Sequence, residues 1–183
     1  YLLNKEGRAH SSALEIIEID KGGILIECDE ILGFQINFFS KLANRVLLRL
    51  VEFKVKDFPK LYQKFEKIDL PALIGKTNGL INPWQLETSA SQSRLNHEKR
   101  IDETILSAWK KHTKQAAGEP TKVFVRMFDD LCTVSLDTSG KHLHFRDYKH
   151  VGEAPLRETL AAFMVRLMVG PASAAELKEF TLV

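Results

Sequence analysis

The chain has 183 residues, 44% of them hydrophobic and 27% charged, a balance that excludes an intrinsically disordered polypeptide and leaves room for one domain or two small ones. A net charge of +2 and a pI of about 8.5 are too mild to imply nucleic acid by themselves, so the distribution of cations matters more than their sum. No apolar run approaches the roughly 20 residues of a membrane span, nothing near Tyr1 resembles a signal sequence, and Cys28 and Cys132 stand in apolar runs without the spaced partners of a metal site.

A cytoplasmic protein with two buried, reduced thiols is therefore expected. Tyr1 to Leu14 reads as the tail of an element whose start is missing, as expected of a fragment that opens on Tyr-Leu-Leu without an initiator Met. Glu15 to Asp20 and Ile24 to Cys28 are β-branched runs around Lys21-Gly22-Gly23, which predicts a hairpin with a glycine turn. Asp29 is placed to cap a helix in which Ile31, Leu32, Phe34, Ile36, Phe38, Phe39 and Leu42 form a wide apolar face, suited to packing on a sheet. Arg45 to Val55 reads as a strand, with Leu47, Arg49, Val51 and Phe53 on one side. Strand, strand, helix, strand, with a lost first helix, is compatible with a ferredoxin-like unit.

Asp57 caps a second predicted helix, with Pro59 in its first turn and Phe58, Leu61, Phe65 and Ile68 at core spacing; its outer stripe is Lys60, Lys64 and Lys67. Asp69 to Asn78 reads as an irregular connection, and Leu80 to Ser89 as a strand broken by Pro83. Between Ser91 and Thr113 the pattern is helical again, with Ile101, Ile105, Ala108 and Trp109 on one side. Asn96, Lys99, Arg100, Ser107, Lys110, Lys111 and Lys114 fall on the other, together with Glu103. Ser91 or Ser93 is the expected cap, with Arg94 beside it and a modest anion preference from the helix start. Such a face fits either a phosphate-binding track or an ordinary solvated exterior.

Lys122 to Phe128 and Cys132 to Asp137 alternate around an Asp129-Asp130 turn, and His142 to Arg146 reads as a third short strand. The pentamer Arg146-Asp147-Tyr148-Lys149-His150 fits a phosphate-and-base contact or a polar linker. Pro155 then opens a helix with Leu156, Leu160, Phe163, Met164 and Leu167 on one face.

Catalytic patterns are absent. There is no G-x-G-x-x-G or P-loop motif, and the Gly22-Gly23 pair belongs to a hairpin turn. His142 and His144 share one side of the predicted strand without a further ligand, Asp129 and Asp130 point apart, and Ser91 and Ser93 lack an activating base. No catalytic or metal residue is assigned.

Several stretches carry a family resemblance: Leu42-Ala43-Asn44-Arg45-Val46-Leu47, Phe58 through Leu61-Tyr62, Leu136-Asp137-Thr138-Ser139-Gly140 with Leu143-His144 and Arg146, and Ala154-Pro155-Leu156-Arg157-Glu158-Thr159-Leu160-Ala161-Ala162. Together they resemble the THUMP-containing RNA methyltransferases, particularly the bacterial large-subunit ribosomal RNA guanine-N2 methyltransferases, from about Ile16 to the end. The family commonly has Gly where Asp147 stands, and an acid there weakens the pentamer as a phosphate grip.

The resemblance implies an α+β chain. Residues 1–43 would be an N-terminally incomplete ferredoxin-like piece sharing strand 45–55, residues 44–150 a THUMP domain, and residues 151–183 a linker helix and first strand leading into a Rossmann-like methyltransferase domain that is absent. The expected function is to position structured RNA, ribosomal RNA first, for methyl transfer from S-adenosylmethionine by the parent enzyme. The fragment itself would hold no cofactor and perform no chemistry. Expected RNA contacts are Arg94, Lys99, Arg100, Lys110, Lys111, Lys114, Lys60, Lys64, Lys67, Arg146 and Lys149, and Pro155, Leu156, Arg157 and Thr159 would flank the parent's cofactor pocket. A structural or adaptor module with little RNA affinity is the alternative.

Overall fold

The computed structural model describes residues 14–20, 22–110, 114–140, 142–143 and 156–169. Strands β1 (Glu15–Asp20) and β2 (Gly23–Glu27) form the expected antiparallel hairpin, with Asp20 opposite Gly23. Lys21 of its turn lies outside the described residues. Helix α1 (Glu30–Phe39) follows, and Asp29 closes its start as expected, with the Leu32 N–H donating to Asp29 Oδ1 at 2.6 Å.

The apolar face of α1 is not packed on a sheet, contrary to the expectation. Phe34, Phe38 and Phe39 are 64%, 74% and 67% exposed, and no residue of α1 is buried. The reason lies in the pairing. Strand β3 (Leu47–Lys54) bonds to β8 (Leu131–Asp137) and not to the hairpin, so β1 and β2 make a separate two-stranded ribbon too narrow to bury a helix.

The main sheet has the order β3-β8-β7-β6, with β6 at Trp84–Ser91 and β7 at Thr121–Phe128. Strands β6 and β7 are parallel, and β8 runs antiparallel to both of its neighbours. Val123, Val125, Met127, Cys132 and Val134 point to one side and are at most 1% exposed, as their alternation requires. The β7–β8 turn places Asp129 and Asp130 at φ 49° and 60°, the left-handed pair of a tight hairpin that short polar side chains tolerate.

Simple alternation fails in β3. A bulge between Arg49 and Val51 shifts the register, so Val51 and Phe53 pack against the core while Arg49 turns to the opposite face with Glu52. There Arg49 and Glu52 form an ion pair at 3.1 Å, a spacing of three that an unbulged strand would place on opposite faces.

One face of the sheet is covered by α2 (Phe58–Glu66) and α4 (Glu98–Ala108), whose Leu61, Phe65, Ile101 and Ile105 are fully buried. Asp57 caps α2 as expected, accepting from the Lys60 N–H at 2.9 Å. Trp109 closes the core: its ring meets Phe65 and Trp84 edge-on at 5.2 and 5.5 Å, and its indole N–H donates to the Phe65 carbonyl at 3.0 Å.

The segment read as irregular holds a short helix, α3 (Leu70–Ile74), capped by Asp69, and a small hairpin of β4 (Lys76–Thr77) and β5 (Leu80–Ile81). Asn78 and Gly79 turn that hairpin at φ 53° and 79°. Pro83 separates β5 from β6, where it costs no ladder bond.

Helix α4 starts later than predicted. Ser91 ends β6, Ser93 donates to the Ser91 carbonyl, and His97 stands at the cap position without a side-chain bond, so neither serine caps the helix. The strand expected at His142 to Arg146 is not formed by His142 or Leu143, and the rest of it lies outside the described residues. Helix α5 (Glu158–Val169) carries the expected apolar face, with Leu160, Phe163 and Met164 each 48% and Leu167 67% exposed. No helix among the described residues is long and apolar enough to cross a membrane.

Candidate nucleic-acid interface

Helices α2 and α4 lie side by side and run in the same direction. At their starts the Arg100 guanidinium stacks over the Phe58 ring, 4.3 Å from its centroid, and at their ends Trp109 reaches Phe65. The apolar sides sink into the core, so the outward sides share one layer, and Lys60, Lys64, Lys67, Lys99, Arg100 and Lys110 are all exposed on it. Lys60 and Arg100 stand at the paired helix starts, and Lys67 and Lys110 at the paired ends.

The layer is not purely cationic. Lys60 is held by the Asp57 carboxylate at 3.2 Å, and Glu66 and Glu103 are exposed nearby in sequence. Lys64 leans back over the Phe53 ring at 5.6 Å. Glu98 turns away, its Oε1 accepting from the Ala90 N–H on the free edge of the sheet at 3.3 Å.

Arg94 sits apart in the β6–α4 loop. Its backbone N–H donates to Asp130 Oδ1 at 2.8 Å and its guanidinium lies 3.8 Å from the same carboxylate. Asp130 thus serves as a loop anchor, also bonded through its N–H to Ser93 Oγ and through its carbonyl to the Val55 N–H. Lys114 is exposed beyond α4, while Lys111, Arg146, Lys149 and Pro155 lie outside the described residues. Leu156 and Arg157 are exposed ahead of α5 and Thr159 is half-buried within it.

Two motifs that sequence reading named separately meet at the far end of β3 and β8. The Arg45 guanidinium pairs with the Asp137 carboxylate, whose side chain is 1% exposed. Asp137 also accepts from the Ser139 N–H at 2.9 Å, Ser139 Oγ accepts from the Val46 N–H at 2.8 Å, and Thr138 Oγ1 donates to the Val46 carbonyl at 2.7 Å. The Asn37 amide of α1 bonds to Thr138, joining the first helix to this knot, and the Leu143 N–H donates to the Asn44 carbonyl at 2.9 Å.

Burial pushes the Cys132 thiol up to about 12, and Cys28 is raised in the same direction by partial burial; of the two thiols expected to be buried, Cys132 is and Cys28 is only half-buried. Among the described residues no three histidine, cysteine or carboxylate side chains gather as a metal site requires. A cleft of about 290 Å³ at the β6 edge, lined by Trp84, Leu86, Asp102, Leu106 and Gln115, was not foreseen. Trp84 Nε1 and Asp102 Oδ1, in two of these residues, are buried without a partner, each an orphan that costs about 1–3 kcal/mol.

In sequence the chain is similar to proteins named as RNA methyltransferases, and in fold to a possible methylase. One relative is the "Ribosomal RNA large subunit methyltransferase K/L" of Psychromonas ingrahamii, 31% identical over a 157-residue alignment that covers 79% of this chain and 20% of that protein. Another is the "Putative RNA methyltransferase YpsC" of Bacillus subtilis, 27% identical over 82% of this chain and 41% of that protein. The crystal structure of a possible methylase from Clostridium difficile superposes with a TM-score of 0.69 at 30% identity, over 84% of this chain and 42% of that one. The chain therefore spans between a fifth and about two fifths of the relatives it matches. No protein-family model matches it.

Proposed function

We propose that this chain is the RNA-handling part of an S-adenosylmethionine-dependent RNA methyltransferase, acting on structured RNA and ribosomal RNA first. Residues 1–43 are assigned to a ferredoxin-like piece, 44–150 to a THUMP domain and 151–183 to the lead into a catalytic domain. The observation that carries the reading is the parallel packing of α2 and α4, which gathers Lys60, Lys64, Lys67, Lys99, Arg100 and Lys110 into one exposed layer. Lysine and arginine there hold the phosphate backbone by releasing counterions, and so recognise RNA by shape rather than by base sequence. Arg94 belongs at the margin of this layer because Asp130 already engages it. The related methyltransferases supply the class of reaction, and S-adenosylmethionine comes with that class. The test is a titration with structured RNA by the chain and by its Lys99→Glu, Arg100→Glu, Lys110→Glu variant.

A second reading, an adaptor that orients a catalytic domain, is favoured by the uncovered apolar faces of α1 and α5. A depression of about 500 Å³ beside α1 is lined by Phe34, Phe38, Phe39 and Leu143. Under this reading RNA affinity is negligible and gel filtration gives an associated species.

A further inference from the structure

We propose that His142 is a pH-sensitive latch, which ties the start of the segment leaving β8 to the entry of β3 while its ring is neutral and releases it on protonation. The latch goes beyond the RNA reading and does not depend on it. Its basis is the contact of the Arg45 guanidinium with His142 Nε2, at 3.2 Å. A guanidinium carries five donors and no acceptor and keeps its charge at every accessible pH, so at this contact the histidine nitrogen accepts. An imidazole can accept there only while Nε2 has no proton.

The arginine is the fixed post of this arrangement. Its Nη1 pairs with the Asp137 carboxylate and lies 3.5 Å from the Gly140 carbonyl, and its guanidinium rests over the Phe124 ring at 5.6 Å. The histidine side is held more lightly. Next to the ring contact stands the backbone bond from the Leu143 N–H to the Asn44 carbonyl at 2.9 Å, so two consecutive residues are tied to two consecutive residues at the start of β3. Loss of the ring contact leaves the Leu143 bond to hold that end of the segment by itself, and its opening becomes more frequent.

Among the described residues, the charged groups around the ring are Arg45, from the entry to β3, and Asp137, from the exit of β8. Protonation sets a second cation against Arg45. Asp137 does not offset it, because its Oδ2 is taken by Arg45 and its Oδ1 by the Ser139 N–H. From α1 comes the uncharged Asn37, bonded to Thr138 and Ser139, and from β7 the Phe124 ring. The neutral ring is therefore the form that the native contact prefers. A group that is neutral when bound and protonated when released contributes its hold above the ordinary histidine pKa of about 6.5, and that hold is lost as pH falls below it.

The test is native-state amide exchange of the 183-residue chain at about pH 7.5 and about pH 5.5, corrected for the intrinsic pH dependence of exchange. It is read at the Leu143 amide, with the buried Val125 amide as the reference for global unfolding. In the wild type, protection of Leu143 should fall at least about fivefold at the lower pH while that of Val125 stays constant. His142→Gln offers an amide oxygen that accepts from Arg45 and does not titrate, so its Leu143 protection should match the wild type's higher value at both pH values. His142→Leu removes the acceptor and should show the lower value at both. Constant protection of Leu143 in the wild type, an equal loss in His142→Gln, full protection in His142→Leu at the higher pH, or a loss shared with Val125 overturns the proposal.

Discussion

The Arg45 guanidinium closes on the Asp137 carboxylate across 92 residues of sequence, at the point where the entry to β3 meets the exit from β8. Asp137 is 5% exposed, so its charge is sheltered from water and depends on Arg45 and the Ser139 N–H. Arg45 also lies over the Phe124 ring at 5.6 Å and within 3.2 Å of the His142 ring, so one side chain ties the sheet to the segment after β8.

Arg45→Ala leaves a buried carboxylate without its cation, and removal of one partner of such a pair costs about 3–5 kcal/mol. Urea denaturation should show a loss near the lower end, because the Ser139 N–H remains. A change within about 0.5 kcal/mol, the range of ordinary surface substitutions, would mean that the pair has no structural weight.

Asp57 titrates below the usual carboxylate range because it accepts from the Lys60 N–H, with the Lys60 ammonium adding to the effect. A folded value below the unfolded one means that the cap contributes stability above the ordinary carboxylate pKa and loses it as pH falls through the lowered folded value. Wild type should therefore exceed Asp57→Ala in thermal midpoint at neutral pH, and the difference should shrink as the solution is acidified below the ordinary value of 3.8. A gap that stays constant with acid would remove the charged cap from the explanation.

Cys132 is fully buried and held up to about 12, whereas Cys28 is half-buried. In the native protein one thiol, Cys28, should react with a disulfide reagent at neutral pH, and Cys132 only after unfolding. Cys132 also lends an alkaline limit. Its contribution is intact below the ordinary value of 9.0 and is lost as pH rises from there toward about 12. Equal labelling rates for the two thiols would contradict the packing of β8 beneath the helices.

Much of this architecture was legible because local chemistry and tertiary packing agree. Asp29 and Asp57 cap the helices they precede, Leu61 and Phe65 are core as their spacing requires, and Val123 to Met127 alternate as read. The misses have physical causes. Alternation cannot register the extra residue of the β3 bulge, so Arg49 was grouped with Val51 and Phe53. Ser91 and Ser93 are good caps in isolation, but β6 and the Asp130 turn use them first. Asn78-Gly79 was a readable hairpin signal that the flanking two-residue strands were too short to support.

Of the candidate site, the outward placement of the helix cations was readable from the helical spacing of the apolar residues opposite them. The parallel alignment of α2 with α4 was not, because it depends on Arg100 meeting Phe58 at the helix starts and Trp109 meeting Phe65 at their ends. The β6 cleft was equally hidden, since Trp84 and Asp102 share no motif.

The most direct measurement is the equilibrium affinity of the chain for a structured RNA across a salt series, alongside the Lys99→Glu, Arg100→Glu, Lys110→Glu variant. If the α2–α4 layer holds the phosphate backbone, the logarithm of the affinity falls linearly with that of salt concentration. The variant then binds at least about tenfold more weakly at low salt, with a shallower slope. Identical affinity and slope in the two proteins would contradict the assignment of this layer to RNA.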